Sequence, residues 1–171
     1  MSKHLELERL FMEDQADRVG FRAGEVAWAD LASRDRQREA YVKAAVMEGS
    51  LHTGADYYHA AMILQHGAEP EDYLLAHELC IVAIGRGEDR ARWLAAASED
   101  RFLRSMGRPQ RFGTQHARDE RTGALQLYPV DPSVSDEVRR AFDVPPLAEA
   151  ERRVARRNAG IDELSEATPP R

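Results

Sequence analysis

The chain has one cysteine, Cys80, so no internal disulfide can form. Cys80 stands in an apolar run with Leu79, Ile81 and Val82, the setting of a buried structural thiol rather than a nucleophile. No apolar run approaches the roughly 18 residues needed to cross a bilayer. The first residues, Met1-Ser2-Lys3-His4-Leu5-Glu6, lack the apolar core of a signal peptide. These absences lead to the expectation of a cytoplasmic protein that does not engage a membrane. Lysine is nearly missing as well: Lys3 and Lys43 are the two present, so almost all positive charge is arginine. That arginine reflects either a compositional bias or a set of fork-shaped donors for carboxylate or phosphate. A net charge of −6 argues against general nucleic-acid binding. Phosphate-binding glycine loops, dinucleotide fingerprints, Gly-x-Ser-x-Gly and His-Glu-x-x-His are all absent.

What is present fits a single domain with a real core: 171 residues, 43% hydrophobic and 32% charged. Residues 1–160 are expected to form one helical domain and 161–171 a frayed tail ending in Thr168-Pro169-Pro170-Arg171. Leu5, Leu7, Leu10, Phe11 and Met12 open an amphipathic helix ending near Gly20. A second runs from about Val26 to Glu48, with Gly49 as the residue after its cap. Asp56–His66 and Pro70–Arg86 read as a third and a fourth, Pro70 suiting a first helical turn. Asp89–Met106 makes a fifth. Further on, the alternation Ala124-Leu125-Gln126-Leu127-Tyr128 after the turn pair Thr122-Gly123 predicts a short hairpin. A short helix from Ser135 to about Phe142 and a last one over Leu147–Asn158 complete the chain.

A shift of 38 residues maps Val42 onto Cys80, Ala45 onto Ala83, Val46 onto Ile84 and Gly49 onto Gly87. Alanines recur at Ala60, Ala61, Ala76, Ala83, Ala91, Ala95 and Ala96, where helices must approach closely. This spacing resembles Sel1-like and tetratricopeptide-like repeats over about 50 residues. The expected fold is therefore mostly α: a short array of helical hairpins with a small C-terminal irregular or β-hairpin segment.

Three groups of residues have the chemistry of a site. His59, His66 and His77, with Glu78, offer donors for a divalent metal, but their spacing matches no defined metal motif. No metal and no cofactor is assigned. Asp14-Gln15-x-x-Arg18 places an acid and a base four residues apart on one helix face. The polar string Pro109-Gln110-Arg111-Phe112-Gly113-Thr114-Gln115 follows Asp100-Arg101 and has no apolar period. Gln110, Thr114 and Gln115 suit either the reading of a polar ligand or the satisfaction of an irregular loop's own backbone. The arginines Arg152, Arg153, Arg156 and Arg157 read as a solvated helix face.

Asp14-Gln15-x-x-Arg18, Gln65-His66, Asp100-Arg101 and Gly107-x-Pro109-Gln110-x-Phe112-Gly113-Thr114-Gln115, in this order, resemble a bacterial family without an assigned activity. Its pattern is Asp-Gln…Arg, Gln-His, Asp-Arg and Pro-Gln-x-Tyr/Phe-Gly-Thr-Gln, followed by an acidic-Pro segment and an arginine-bearing helix. Pro129-Val130-Asp131-Pro132 and Arg139-Arg140 supply the last two parts. Phe112 stands where tyrosine is usual, and Gly67 where an acidic or small residue often follows Gln-His. The resemblance implies that Asp14, Gln15, Arg18, Gln65, His66, Asp100, Arg101, Gln110, Thr114 and Gln115 belong to one cluster. Two functions follow as expectations. One is a protein binding a polar small molecule, peptide or partner protein along these residues and Phe112. The other is a small enzyme, hydrolytic or metal-assisted, with His66 as base or metal ligand and Gln110, Thr114 and Gln115 orienting the substrate.

Overall fold

The computed structural model describes residues 3–161; most of the expected tail lies outside them. Seven helices and one two-stranded sheet follow in the order α1 (Lys3–Arg22), α2 (Trp28–Met47), α3 (Gly54–Leu64), α4 (Pro70–Gly85), α5 (Ala91–Ser105), β1 (His116–Arg118), β2 (Leu125–Leu127), α6 (Asp136–Ala141) and α7 (Leu147–Asn158). The fold is mostly α with a small C-terminal β segment, as the sequence predicts. No helix among the described residues is long and apolar enough to cross a membrane.

The frame of the molecule is α3, α4 and α5, consecutive helices joined by short turns and packed side by side. Thr53 starts α3 with a capping box: its side chain accepts from the Asp56 amide while the Asp56 carboxylate accepts from the Thr53 amide. Pro70 occupies the first turn of α4, where its missing N–H leaves no bond unmade. Ala60, Ala61, Ala76, Ala83, Ala91, Ala95 and Ala96 are all fully buried. A methyl side chain at each lets neighbouring backbones approach closely. The larger Leu64, Leu79 and Leu94 fill the space between them. Val42 and Cys80 are both fully buried, and Gly49 and Gly87 both end their helices at positive φ, 65° and 85°. Burial pushes the Cys80 thiol well up, leaving it a packed, protonated core group.

Helix α1 lies against α2 and α3. Its first half buries Leu7 with Leu10 and Phe11 packed alongside. Its second half turns Asp14 and Asp17 inward on the same stripe. A Cβ added at Gly67, just past α3, would lie 2.5 Å from the Asp72 Cβ, so this tight turn has no room for a side chain. The antiparallel pair β1–β2 places His116 opposite Leu127 and Arg118 opposite Leu125. Asn158 at the end of α7 extends this sheet: its amide donates to the Leu125 carbonyl at 2.8 Å and accepts from the Leu125 N–H at 2.8 Å.

Candidate functional site

The expected site residues fall into two groups. The first centres on Asp14. Its carboxylate is fully buried. It receives the His66 ring Nδ1 at 3.1 Å, Arg18 Nη2 at 3.2 Å and the Gln15 amide at 2.8 Å, with Arg38 Nη1 at 3.8 Å. Arg18 also reaches Asp35 at 2.7 Å, Arg38 pairs with Asp35 at 3.2 Å and with Asp17, and Arg34 meets Asp17 at 2.5 Å. Three aspartates are thus matched by three arginines across α1 and α2. Burial alone would raise the Asp14 carboxyl, but the His66 hydrogen bond and the neighbouring Arg18 and Arg38 charges outweigh it and hold the group ionised.

His66, just past the end of α3, sits at this network's edge with 18% of its side chain exposed. Its pKa is lowered, first by burial and then by the adjacent Arg18 and Arg101 charges, which together outweigh the pull of Asp14. The ring is therefore neutral near pH 7. An ionised carboxylate can only accept, so the proton is on Nδ1, pointing to Asp14, and Nε2 carries a lone pair.

Arg101 completes the group from α5. Its guanidinium has no ion-pair or hydrogen-bond partner among the described residues, and its Nε is buried and unpartnered, as is Arg18 Nε. Burial lowers its pKa, the charges of Arg104 and Arg18 add to that, and Tyr73 opposes it. Gln65 is buried beside His66, its amide turned back to the Met62 sulfur.

The second group is a loop lock. The fully buried Asp100 accepts from the N–H groups of Arg111 (2.7 Å), Phe112 (2.9 Å) and Thr114 (3.0 Å) and from the Thr114 hydroxyl (2.8 Å). From the other side, Arg139 on α6 donates to the carbonyls of Phe112 (3.3 Å), Arg111 (3.0 Å) and Val134 (2.5 Å). An anion gathers the loop's donors while a cation gathers its acceptors, which satisfies a buried irregular backbone. Gln110 ties the loop to the next segment: its amide nitrogen donates to the Gln115 and Tyr128 carbonyls, and its oxygen accepts from the Gln115 N–H. Gln115 adds donations to Thr114 Oγ1 at 3.0 Å and to the Ala97 carbonyl at 3.5 Å. Phe112 packs into a small core against Phe142, ring centroids 5.0 Å apart, with Ala96, Val134 and Val144. Gly113 makes the turn at φ 81°.

Asp14, Gln15, Arg18 and His66 thus bond to one another, with Arg101 within electrostatic reach, whereas Asp100, Gln110, Phe112, Thr114 and Gln115 gather at the loop. The adjacent Asp100 and Arg101 point to different groups because successive helix positions are about 100° apart. The other histidines go separate ways. His59 stacks on Phe11 at 4.3 Å, and His77 Nδ1 bonds the Ala95 carbonyl at 2.9 Å. Among the described residues no group of three His, Cys, Asp or Glu side chains is arranged to hold a metal ion. An open groove of about 410 Å³ between β2 and α7, lined by Leu125, Leu127, Tyr128, Val130, Leu147 and Val154, adjoins the loop lock, where Tyr128 and Val130 pair with Gln110.

Asp17, Asp35, Arg34 and Arg38 are members that the sequence reading missed. A signal for them exists: Leu7, Asp14 and Leu31, Arg38 are pairs seven apart, so each charged residue stands on a stripe that should be apolar. No family model, curated protein or solved structure matches this chain.

Proposed function

We propose that this chain binds a small polar ligand at the edge of the Asp14 network, where α1, the end of α3 and α5 meet. The observation that carries this reading is Arg101, half-buried and without a hydrogen-bond or ion-pair partner among the described residues, its Nε sealed from solvent and its charge acting on Arg18 and His66. A partly desolvated charge without a partner is destabilising, and a ligand that supplies the missing partner would offset that cost. The matched ion pairs of α1 and α2 hold Arg18 and Asp14 in place, so the site is preorganised on helices rather than loops. The alanine-spaced hairpins of α3 to α5, which we read as Sel1-like, would serve as its rigid support.

A second reading has its own observation. The Asp14–His66 hydrogen bond orients a neutral imidazole with an available Nε2 lone pair, the arrangement of a general base acting on water or a substrate hydroxyl. Among the described residues Asp14 is the side chain bonded to His66, and no nucleophile is, so we favour binding alone.

The test is a two-dimensional NMR screen of the whole chain against mixtures of small polar compounds. Saturable shifts of the His66 ring and Arg101 side-chain signals are the expected result. Shifts confined to the β2–α7 groove would move the site there and end this reading. The second reading requires turnover of a chromogenic ester or phosphoester that His66→Gln removes.

A further inference from the structure

We infer that the ligand is an organic acid whose carboxylate sits on the Arg101 guanidinium next to Arg18 and His66. This rests on the polar-ligand reading above and names its chemistry. Asp14, Asp17 and Asp35 are balanced by Arg18, Arg34 and Arg38 through direct contacts, so the network needs no further ion. Arg101 is the surplus cation at its edge, with no counter-charge among the described residues. Its neighbour on α5, Arg104, acts on Arg101 electrostatically, but it is exposed to solvent and its guanidinium lies over the Tyr128 ring at 4.2 Å.

One surplus positive charge is neutralised by one negative charge, which a carboxylate carries and a phosphate dianion exceeds. A guanidinium also presents parallel N–H donors that match the two oxygens of a carboxylate. The Arg101 guanidinium has donors and no acceptor, so its missing partner must be an acceptor.

His66 adds a pH dependence. The groups facing it are Asp14 and Arg18 from α1 and Arg101 from α5, while Arg38 of α2 acts on Asp14 and Tyr73 of α4 on Arg101. A bound carboxylate shields the two arginine charges and favours protonation of Nε2. Binding therefore takes up a proton, and affinity rises as pH falls from about 8 toward about 6.

The experiment titrates the full chain with acetate, acetamide and inorganic phosphate, reading the Arg101 Nε–H and His66 ring signals by NMR. Acetate is expected to give saturable shifts that tighten at lower pH, and acetamide, its uncharged counterpart, none. Arg101→Met should weaken acetate by at least about tenfold and raise the melting temperature, because a half-buried charge without a counter-charge is removed. Arg101→Lys, which keeps the charge without the fork, should bind with intermediate affinity. Tighter saturation by phosphate than by acetate would overturn the carboxylate assignment. Shifts with acetamide but not acetate would leave the polar site standing and remove the anion. Silence from all three probes, with the screen above also silent, would remove both readings. A lower melting temperature for Arg101→Met would show that Arg101 is satisfied within the protein.

Discussion

His66 and Asp14 show how far a residue's role depends on what surrounds it. In isolation Asp14 and Arg18 form a helix-surface pair worth a few tenths of a kcal/mol. In the folded chain Asp14 is inaccessible to solvent and holds together Gln15, Arg18 and His66. The coupling to pH has a definite sign. His66 is harder to protonate when folded, so between its lowered folded value and about 6.5 the unfolded chain binds more protons. Its contribution to stability is complete above about pH 6.5 and is lost as pH falls below it, at up to about 1.4 kcal/mol per pH unit. Denaturant melts of wild type and His66→Gln from about pH 8 to about pH 5 should diverge on the acid side, wild type losing more. The other histidines, including His4, whose bond to Asp56 shifts it the opposite way, are common to both proteins and cancel in the difference. Parallel pH curves would show that His66 titrates normally in the fold.

At the scale of elements, the loop between α5 and β1 is the clearest case of opposite charges organising an irregular segment. Asp100 comes from the helix before the loop and Arg139 from α6 after it, so the loop is held only once α6 has docked. Asp100→Ala leaves three backbone N–H groups without an acceptor. It is expected to cost about 3–5 kcal/mol, or roughly 10 °C in melting temperature. Asp100→Asn keeps one acceptor oxygen and should cost less. The Asp100→Ala and Arg139→Met losses should not add in the double variant, since either change already releases the same loop. Strict additivity in a double-mutant cycle would mean that the two residues act on separate structures. The hairpin that follows has only three residues per strand and owes its order to Asn158 and the α7 face.

For the molecule as a whole, stability is concentrated in α3, α4 and α5, which carry most of the fully buried apolar residues. Native-state hydrogen exchange should find the slowest amides there and fast exchange across β1 and β2. Uniform protection over both regions would contradict a core so unevenly placed. The proposed site lies where this rigid frame meets α1, so Arg101 is on the stable side and His66 at a helix end.

Much of this architecture is legible in the chain because it follows from local rules. Apolar period, Pro70 at a first turn, Gly49 and Gly87 past helix ends, and Thr122-Gly123 before an alternating run predict every helix and the second strand within a few residues. The alanines announce close packing because nothing larger fits between approaching backbones. The grouping of the polar residues is another matter. Asp100 and Arg101 are neighbours in sequence, yet one closes a loop and the other faces His66, because a helix turns consecutive side chains apart. Asp14 and His66 are 52 residues apart and meet only when α1 lies across the end of α3. Long-range pairing of charges depends on which helix faces come together, and local periodicity carries no record of that. Apart from the motif resemblance that groups Asp14, Arg18 and His66, the charged residues standing on the apolar stripes of α1 and α2 are its trace in the sequence.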